Sequence, residues 1–184
     1  RADVRLREMK LGLERIADLV VKLRTFSRKD EGELKYVSVR ESVQSLLTIL
    51  GHRLRDRIQI ETEFGEPDSI ECYPSLLNQA VMNLVSNSID AIEGTGTITI
   101  KTGPFEDNYR ISVDDTGSGI RPELRERVLE PFFTTKPVGL GTGLGLSITY
   151  SIVQRHGGTL ELGDAEGGGT SAVITIPINS KERR

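Results

Sequence analysis

Glycine placement restricts this chain more than any other feature. Fifteen of its 19 glycines lie between Gly94 and Gly169, where ordinary usage is about 7%. A glycine excess confined to one region marks loops whose backbone comes close to something else. Between those loops run segments with the alternation of strands and the 3.6-residue repeat of helices. A chain of this kind must fold as short elements joined by tight, special-geometry connections.

The 184 residues amount to one domain of ordinary size plus an appendage. Cys72 is the only cysteine, so no internal disulfide forms, and a lone thiol fits a reducing compartment. With one Cys and two separated His, His52 and His156, a Cys/His zinc cluster is excluded. No apolar run reaches the ~18 residues of a membrane span, and no signal peptide is visible. The chain begins at Arg1 and reads as a piece of something longer, working in the cytoplasm. Residues 1–29 carry nine Lys/Arg and four Asp/Glu, a net of +5, which leaves −8 for the remainder of a chain whose total is −3. That acidic main body argues against nucleic acid as a partner.

Residues 1–28 form a heptad seam: Ala2, Leu6, Met9, Leu13, Ile16, Val20 and Leu23 repeat at spacings of four and three. Such a narrow stripe needs partner helices, either its own domain or, preferably, an intermolecular bundle. Ser38-Val39-Arg40-Glu41 is a capping box. The helix it opens carries Val39, Val43, Leu46, Leu47, Leu50 and Leu54 on one side. Ile58, Ile60, Thr62 and Phe64 alternate as a strand, and a short strand follows at 70–72. Pro74 starts a helix that runs to Glu93 with Leu77, Ala80, Val81, Leu84, Val85, Ser88 and Ile92 inward. Strands are expected at 97–101 and 109–113, with a loop over 103–108 between them. A short helix at 122–129, a helix at 144–156 ending before Gly157, and a closing hairpin around 167–169 complete the reading. The expected fold class is α+β: a two-layer sandwich of one mixed sheet with helices on one face.

Four patches carry chemical potential. On the helix from Pro74, Gln79, Asn83, Asn87 and Asp90 share a stripe. Asn and Asp weaken a helix interior, and an amide oxygen suits Mg²⁺ when phosphates supply the charge. Asp115-Thr116-Gly117-Ser118-Gly119-Ile120 leaves a strand. Its carboxylate can accept a bond from an exocyclic amine such as adenine N6, whereas guanine presents a carbonyl there. Pro131-Phe132-Phe133-Thr134-Thr135-Lys136-Pro137 reads as a flap, with Lys136 as a point charge for phosphate. Gly139-Leu140-Gly141-Thr142-Gly143-Leu144-Gly145-Leu146 frees backbone N–H groups just before a helix, an anion-binding arrangement. It fits neither the Rossmann fingerprint nor the Walker loop, and the protein-kinase motifs are absent. Read singly, each patch has a plainer explanation: a wet face, a tight turn, an exposed loop, a hinge.

In this order the four resemble the N, G1, F and G2 boxes of the GHKL ATP-binding superfamily, and within it the catalytic domain of bacterial sensor histidine kinases. The likeness covers about 36–178, and Leu23-Arg24-Thr25-Phe26-Ser27 is similar to the second helix of that family's dimerisation and phosphotransfer bundle. The resemblance implies a Bergerat-type sandwich over 36–180 preceded by a bundle segment at 1–30. It implies ATP and Mg²⁺ as cofactors, with Asn87 on the metal and Asn83 beside it orienting phosphates. Asp115 would hold adenine with Gly117, Gly119 and Ile120 beneath it, and Thr170 on the adenine side. Phe133, Thr134, Thr135 and Lys136 would start the lid, while Gly141, Thr142, Gly143, Leu144, Gly145 and Leu146 cap the triphosphate. Asn83 and Lys136 would be catalytic.

Asp90 belongs to the same nucleotide set but stands where many relatives carry a basic residue, a loss for which Lys136 can substitute. Asn83 stands where gyrase-type and chaperone relatives have a glutamate that activates water, so phosphoryl transfer is expected rather than efficient hydrolysis. The short lid implies fast nucleotide exchange. Neither His52 nor His156 has the context of a phospho-acceptor, and both are read as structural. The acceptor His then lies upstream. The implied partners are a second copy, through the N-terminal helix, and a response-regulator receiver domain, with no nucleic acid and no membrane contact. The competing function is a nucleotide-binding regulatory module without kinase activity.

Overall fold

A computed structural model describes residues 32–54, 57–137 and 141–178. The heptad segment 1–30 and Gly139-Leu140 lie outside the described residues. The elements run β1 (Lys35–Ser38), α1 (Val39–Leu54), β2 (Ile58–Phe64), β3 (Ser69–Cys72), α2 (Pro74–Ala91), β4 (Gly96–Phe105), β5 (Asn108–Asp115), α3 (Gly145–Arg155), β6 (Thr159–Asp164) and β7 (Thr170–Pro177). Five strands form one mixed sheet in the order β2-β4-β5-β7-β6. Only β2 and β4 pair parallel; the other neighbours are antiparallel.

The period-2 pattern puts Ile98 and Ile100 of β4, Tyr109, Ile111 and Val113 of β5, and Ala172, Ile174 and Ile176 of β7 on one buried face. The helices cover that face. α2 contributes Leu77, Ala80, Val81, Leu84 and Val85, all buried, and each large apolar side chain so placed stabilises the fold by about 1.5–3 kcal/mol. The opposite face is polar. Lys101 Nζ lies 3.1 Å from Glu63 Oε1, and the Ser171 hydroxyl donates to Asp114 at 2.5 Å.

Both ends of α2 are tied down, and α2 is the element that carries the asparagines. At its start Pro74 occupies the first turn, where a missing N–H loses no helical bond. The Tyr73 N–H before it donates to His156 Nε2 at 3.0 Å. His156 Nδ1 faces Ile152 O at 2.8 Å, so the ring carries its proton on Nδ1. Burial pushes its pKa below the usual 6.5, with the Arg155 charge acting the same way and the Ile152 carbonyl opposing. At the other end of α2, Arg57 Nη2 donates to Ile89 O at 2.9 Å and Ile92 O at 2.8 Å. A cation on the last carbonyls of a helix satisfies orphan acceptors and opposes the negative end of the dipole.

Four details differ from the sequence expectation. β4 and β5 run on to Phe105 and Asn108, leaving a two-residue turn with Glu106 at φ 54° where a loop over 103–108 was expected. The 122–129 segment is two 3₁₀ turns, Pro122–Leu124 and Arg127–Leu129, rather than a helix. Neither turn fully buries a residue, and with Leu124, Val128 and Leu129 only half-buried the segment gains too little burial to hold a regular helix against the core. α2 stops at Ala91, and Ile92 is already extended. The sheet is not the only one: β1 pairs antiparallel with β3 in a separate ribbon, with Val37 opposite Ile70. This ribbon starts α1, because the Val39 N–H donates to Asp68 O at 2.9 Å and the Ser38 hydroxyl donates to Asp68 Oδ2 at 2.5 Å. The Ser38 oxygen also accepts the Glu41 N–H at 3.1 Å, the first half of the expected capping box.

Candidate nucleotide site

Asp115 ends β5 and is 4% exposed. Its Oδ1 accepts two backbone N–H groups, from Gly117 at 2.8 Å and Thr170 at 3.2 Å. Among the described residues its other oxygen, Oδ2, accepts none, so one oxygen is fixed by the fold and the second remains an acceptor. The glycines around it are required by contact. A Cβ on Gly117 would lie 2.8 Å from the Ala91 backbone, and one on Gly169 (φ 90°) would run into the Asp115 carbonyl. The Ser118 N–H donates to Ala91 O at 3.1 Å, which docks this loop on the end of α2. Gly119 faces Gly169 with φ 72°, and Ile120 is half-buried beside it.

On α2 the polar stripe faces the start of α3. Asn83 Nδ2 donates to Gly145 O at 3.1 Å and lies 3.5 Å from Thr149 Oγ1, whose hydroxyl donates to the same carbonyl at 2.9 Å. The amide nitrogen is thereby committed, and Oδ1 is the free end of Asn83. Asn87, one turn further, is half-buried, and its carboxamide makes no hydrogen bond among the described residues. A Cβ built on Gly145 would sit 3.6 Å from its Nδ2 and 3.8 Å from its Oδ1. Asp90 splits its oxygens between two cations: Arg53 Nη2 at 2.5 Å and Lys136 Nζ at 2.6 Å.

The segment from Pro131 to Pro137 is clasped to the glycine loop. The Phe132 N–H donates to Gly143 O at 2.8 Å, and both residues have positive φ, 67° and 65°. Any side chain on Gly143 would strike the Phe132 backbone. Phe133 is half-buried with the Arg127 guanidinium 4.5 Å above its ring. Thr134 accepts the Lys136 N–H at 3.1 Å, and a Cβ on Gly141 would press on its hydroxyl. Thr135 is exposed. Leu144 is buried, and its N–H reaches the Thr142 hydroxyl at 3.4 Å. Leu146 is half-buried against the core. No side chain caps α3 and its first turn holds no acid, so its leading N–H groups remain available to an anion.

The expected residues thus fall into three connected groups. One is Asp115 with Gly117, Gly119 and Thr170; the second is Asn83 and Asn87 against Gly145; the third is Asp90 with Lys136. The ring of Phe133, by contrast, is engaged by Arg127 rather than by any of these groups. Sequence reasoning missed Thr149, Arg53 and Arg127. Thr149 stood four residues after Gly145, on the same helical face, and was findable. Nothing local marks Arg53, which sits 37 residues from Asp90.

The donor set fits a magnesium–nucleotide ligand. Among the described residues no group of three or more His, Cys, Asp or Glu could hold a metal. A single amide oxygen at Asn87 leaves an ion to draw its remaining ligands from phosphates and water, the habit of Mg²⁺.

A mixed five-stranded sheet with helices on one face, and glycine loops gathered against the end of α2 and the start of α3, is the arrangement of a nucleotide-binding α+β domain. Residues 72–180 match the family described as histidine kinase-, DNA gyrase B- and HSP90-like ATPase, and the chain belongs to that family. Among its curated relatives, Sensor kinase CckA of Brucella abortus (strain 2308) is 31% identical over 192 positions, covering 96% of this chain and 20% of the relative. Sensor histidine kinase ZraS of Escherichia coli (strain K12) is 34% identical over 143 positions, covering 73% of this chain and 30% of the relative. The chain therefore spans a third or less of these proteins. The solved catalytic domain of histidine kinase ThkA is 30% identical with a TM-score of 0.72, over 79% of this chain and 96% of that domain. ThkA solved in complex with response regulator protein TrrA matches at 27% identity and a TM-score of 0.78, over 94% of this chain and 50% of that one. Within the family the chain is an ATP-binding catalytic domain of the bacterial sensor histidine kinase type. No helix among the described residues is long and apolar enough to cross a membrane.

Proposed function

We propose that this site binds Mg²⁺-ATP and presents its γ-phosphoryl group to a histidine outside the described residues, from which it passes to an aspartate of a response-regulator receiver domain. The observation that carries this is the Asn83–Asn87 pair. One carboxamide is fixed by its nitrogen and the other is unpartnered, both facing the uncapped start of α3. Bound Mg²⁺ supplies charge neutralisation across the phosphates, with Asn87 as its protein ligand. Asn83 Oδ1 orients the phosphate chain, and the first N–H groups of α3 donate to its oxygens. Lys136 stabilises the transferring group as a point charge. Asp115 Oδ2 accepts the adenine N6 hydrogen, with Gly117, Gly119 and Ile120 under the base and Thr170 beside it.

In the transfer the bond from the γ-phosphorus to its bridging oxygen breaks, ADP leaves, and a phosphorus–nitrogen bond forms on the imidazole. An amide is no general base, so Asn83 does not activate water and hydrolysis stays slow. His52 and His156 are not acceptors. The second is enclosed between Tyr73 and Ile152, with its Nε2 already used. The ThkA complex with a response regulator supports the receiver partner. The heptad of residues 1–28 supports pairing with a second copy, and the cytoplasm is the compartment that supplies ATP.

The test supplies a separate upstream bundle helix and γ-labelled ATP. Label on that helix with slow steady-state hydrolysis is the expected result. Rapid hydrolysis with no label on the helix overturns the reading.

A further inference from the structure

Arg53 belongs to none of the glycine loops and to neither asparagine. It projects from the last turn of α1, and its ion pair with Asp90 is its only hydrogen bond or salt bridge among the described residues. Lys136 occupies the other oxygen of the same carboxylate. Three separate elements, α1, α2 and the segment after the two phenylalanines, therefore bring two cations to one acid, and the cluster carries a net charge of +1. Asp90 lies three residues beyond Asn87 on α2, so the two share a helical face about one turn apart. Both cationic side chains are 33% exposed, so each keeps a solvent-facing side from which it can meet a ligand.

The arrangement is hard to explain as stabilisation. Exposed ion pairs contribute little to folding, and one carboxylate cannot neutralise two cations. The geometry serves anion capture better. A guanidinium has five donors, and Asp90 engages one terminal nitrogen, leaving others in a planar fork suited to phosphate oxygens. A nucleotide whose phosphates start at Asn87 extends along α2 toward this pair of cations. Asp90 then fixes where both stand without cancelling their joint charge.

We propose that Arg53 is a phosphate-binding residue of this site, contributed by α1 and held in place by Asp90, acting with Lys136 on the outer phosphates of a nucleoside triphosphate. The inference rests on the reading of these residues as a Mg²⁺-ATP site. It separates a ligand with outer phosphates from one without, because AMP does not extend to Asp90.

Calorimetric titration of the chain with ATP, ADP and AMP, each with Mg²⁺, tests it. Arg53→Ala is expected to weaken ATP binding about tenfold, the usual effect of losing a charge-assisted hydrogen bond, while AMP stays within about twofold. Arg53→Lys is expected to recover part of the ATP affinity, since charge is restored without the fork. The ATP affinity of Arg53→Ala is also expected to fall less steeply with salt than that of the unsubstituted chain. If Arg53→Ala does not fold, Arg53→Gln keeps the stem and is read in its place. Equal weakening of ATP and AMP makes Arg53 a mere tie between α1 and α2 and overturns the proposal, as does an unchanged ATP affinity. Failure of the unsubstituted chain to bind Mg²⁺-ATP overturns the site reading and this inference together. Normal binding with an indifferent Arg53 overturns only the inference.

Discussion

At the scale of single residues, specificity rests on which atom is left over after the fold has taken its share. Asp115 gives Oδ1 to the Gly117 and Thr170 amides and keeps Oδ2 as an acceptor. In Asp115→Asn the same amides would claim the new Oδ1, leaving an NH₂ donor turned to the base. That donor opposes adenine N6 and matches guanine O6. Competition binding is expected to show ATP affinity falling about tenfold or more, with the preference over GTP lost. Retained discrimination would show that something else reads the purine. Thr149 poses a subtler case. It is fully buried and helps fix Asn83 through Gly145 O. Thr149→Val keeps the shape but removes the hydroxyl. Transfer to a supplied histidine is expected to slow up to about tenfold with ATP affinity little changed, and Thr149→Ser to restore the rate. A parallel loss of affinity, not rescued by serine, would mark Thr149 as packing alone.

At the scale of elements, α2 works because both ends are anchored by side chains from elsewhere. Arg57→Ala removes two bonds to carbonyls at its C-terminal end. The expected loss is about 1–3 kcal/mol in urea unfolding, partly restored by lysine. An unchanged midpoint would mean that the helix end holds itself. This anchoring also marks the limit of what the sequence discloses. The inward stripe of α2, the alternation of β2, β4, β5 and β7, and the left-handed Gly157 after α3 were legible because each is local: one period, one cap. The β1–β3 ribbon was not, since Lys35-Tyr36-Val37-Ser38 is too short and mixed to signal a strand, and its partner lies some thirty positions away. The 122–129 helix was overread for the converse reason. Its composition permits a helix, but its half-buried side chains do not enforce one. In the site, the motif residues could be read from chemistry and order, whereas Arg53 and Arg127 arrive by tertiary contact from outside every motif.

At the scale of the whole molecule, His156 couples α2 to α3 and makes the fold pH-sensitive. Its Nε2 accepts the Tyr73 N–H, which a protonated ring cannot do, and burial together with Arg155 lowers its pKa in the folded state. The unfolded chain therefore takes up its proton first. Stability is fully present above about 6.5 and declines as pH falls from there toward the lower folded value. Urea midpoints across that interval are expected to drop for the unsubstituted chain and to flatten in His156→Gln. Identical slopes would place the titrating group elsewhere. Cys72, buried with its thiol pushed up to about 11, takes no part in that interval.

The approach of Gly169 to the Asp115 carbonyl has a consequence for anyone who surveys variants of this domain. The strand end that aims the carboxylate and the hairpin that closes the sheet share one crowded spot. Any bulkier residue at 169 displaces both together, so the damage would register as poor expression and lost ligand in the same assay. A screen scored on ligand alone would credit recognition with what is an assembly fault, unless the yield of folded chain is measured alongside.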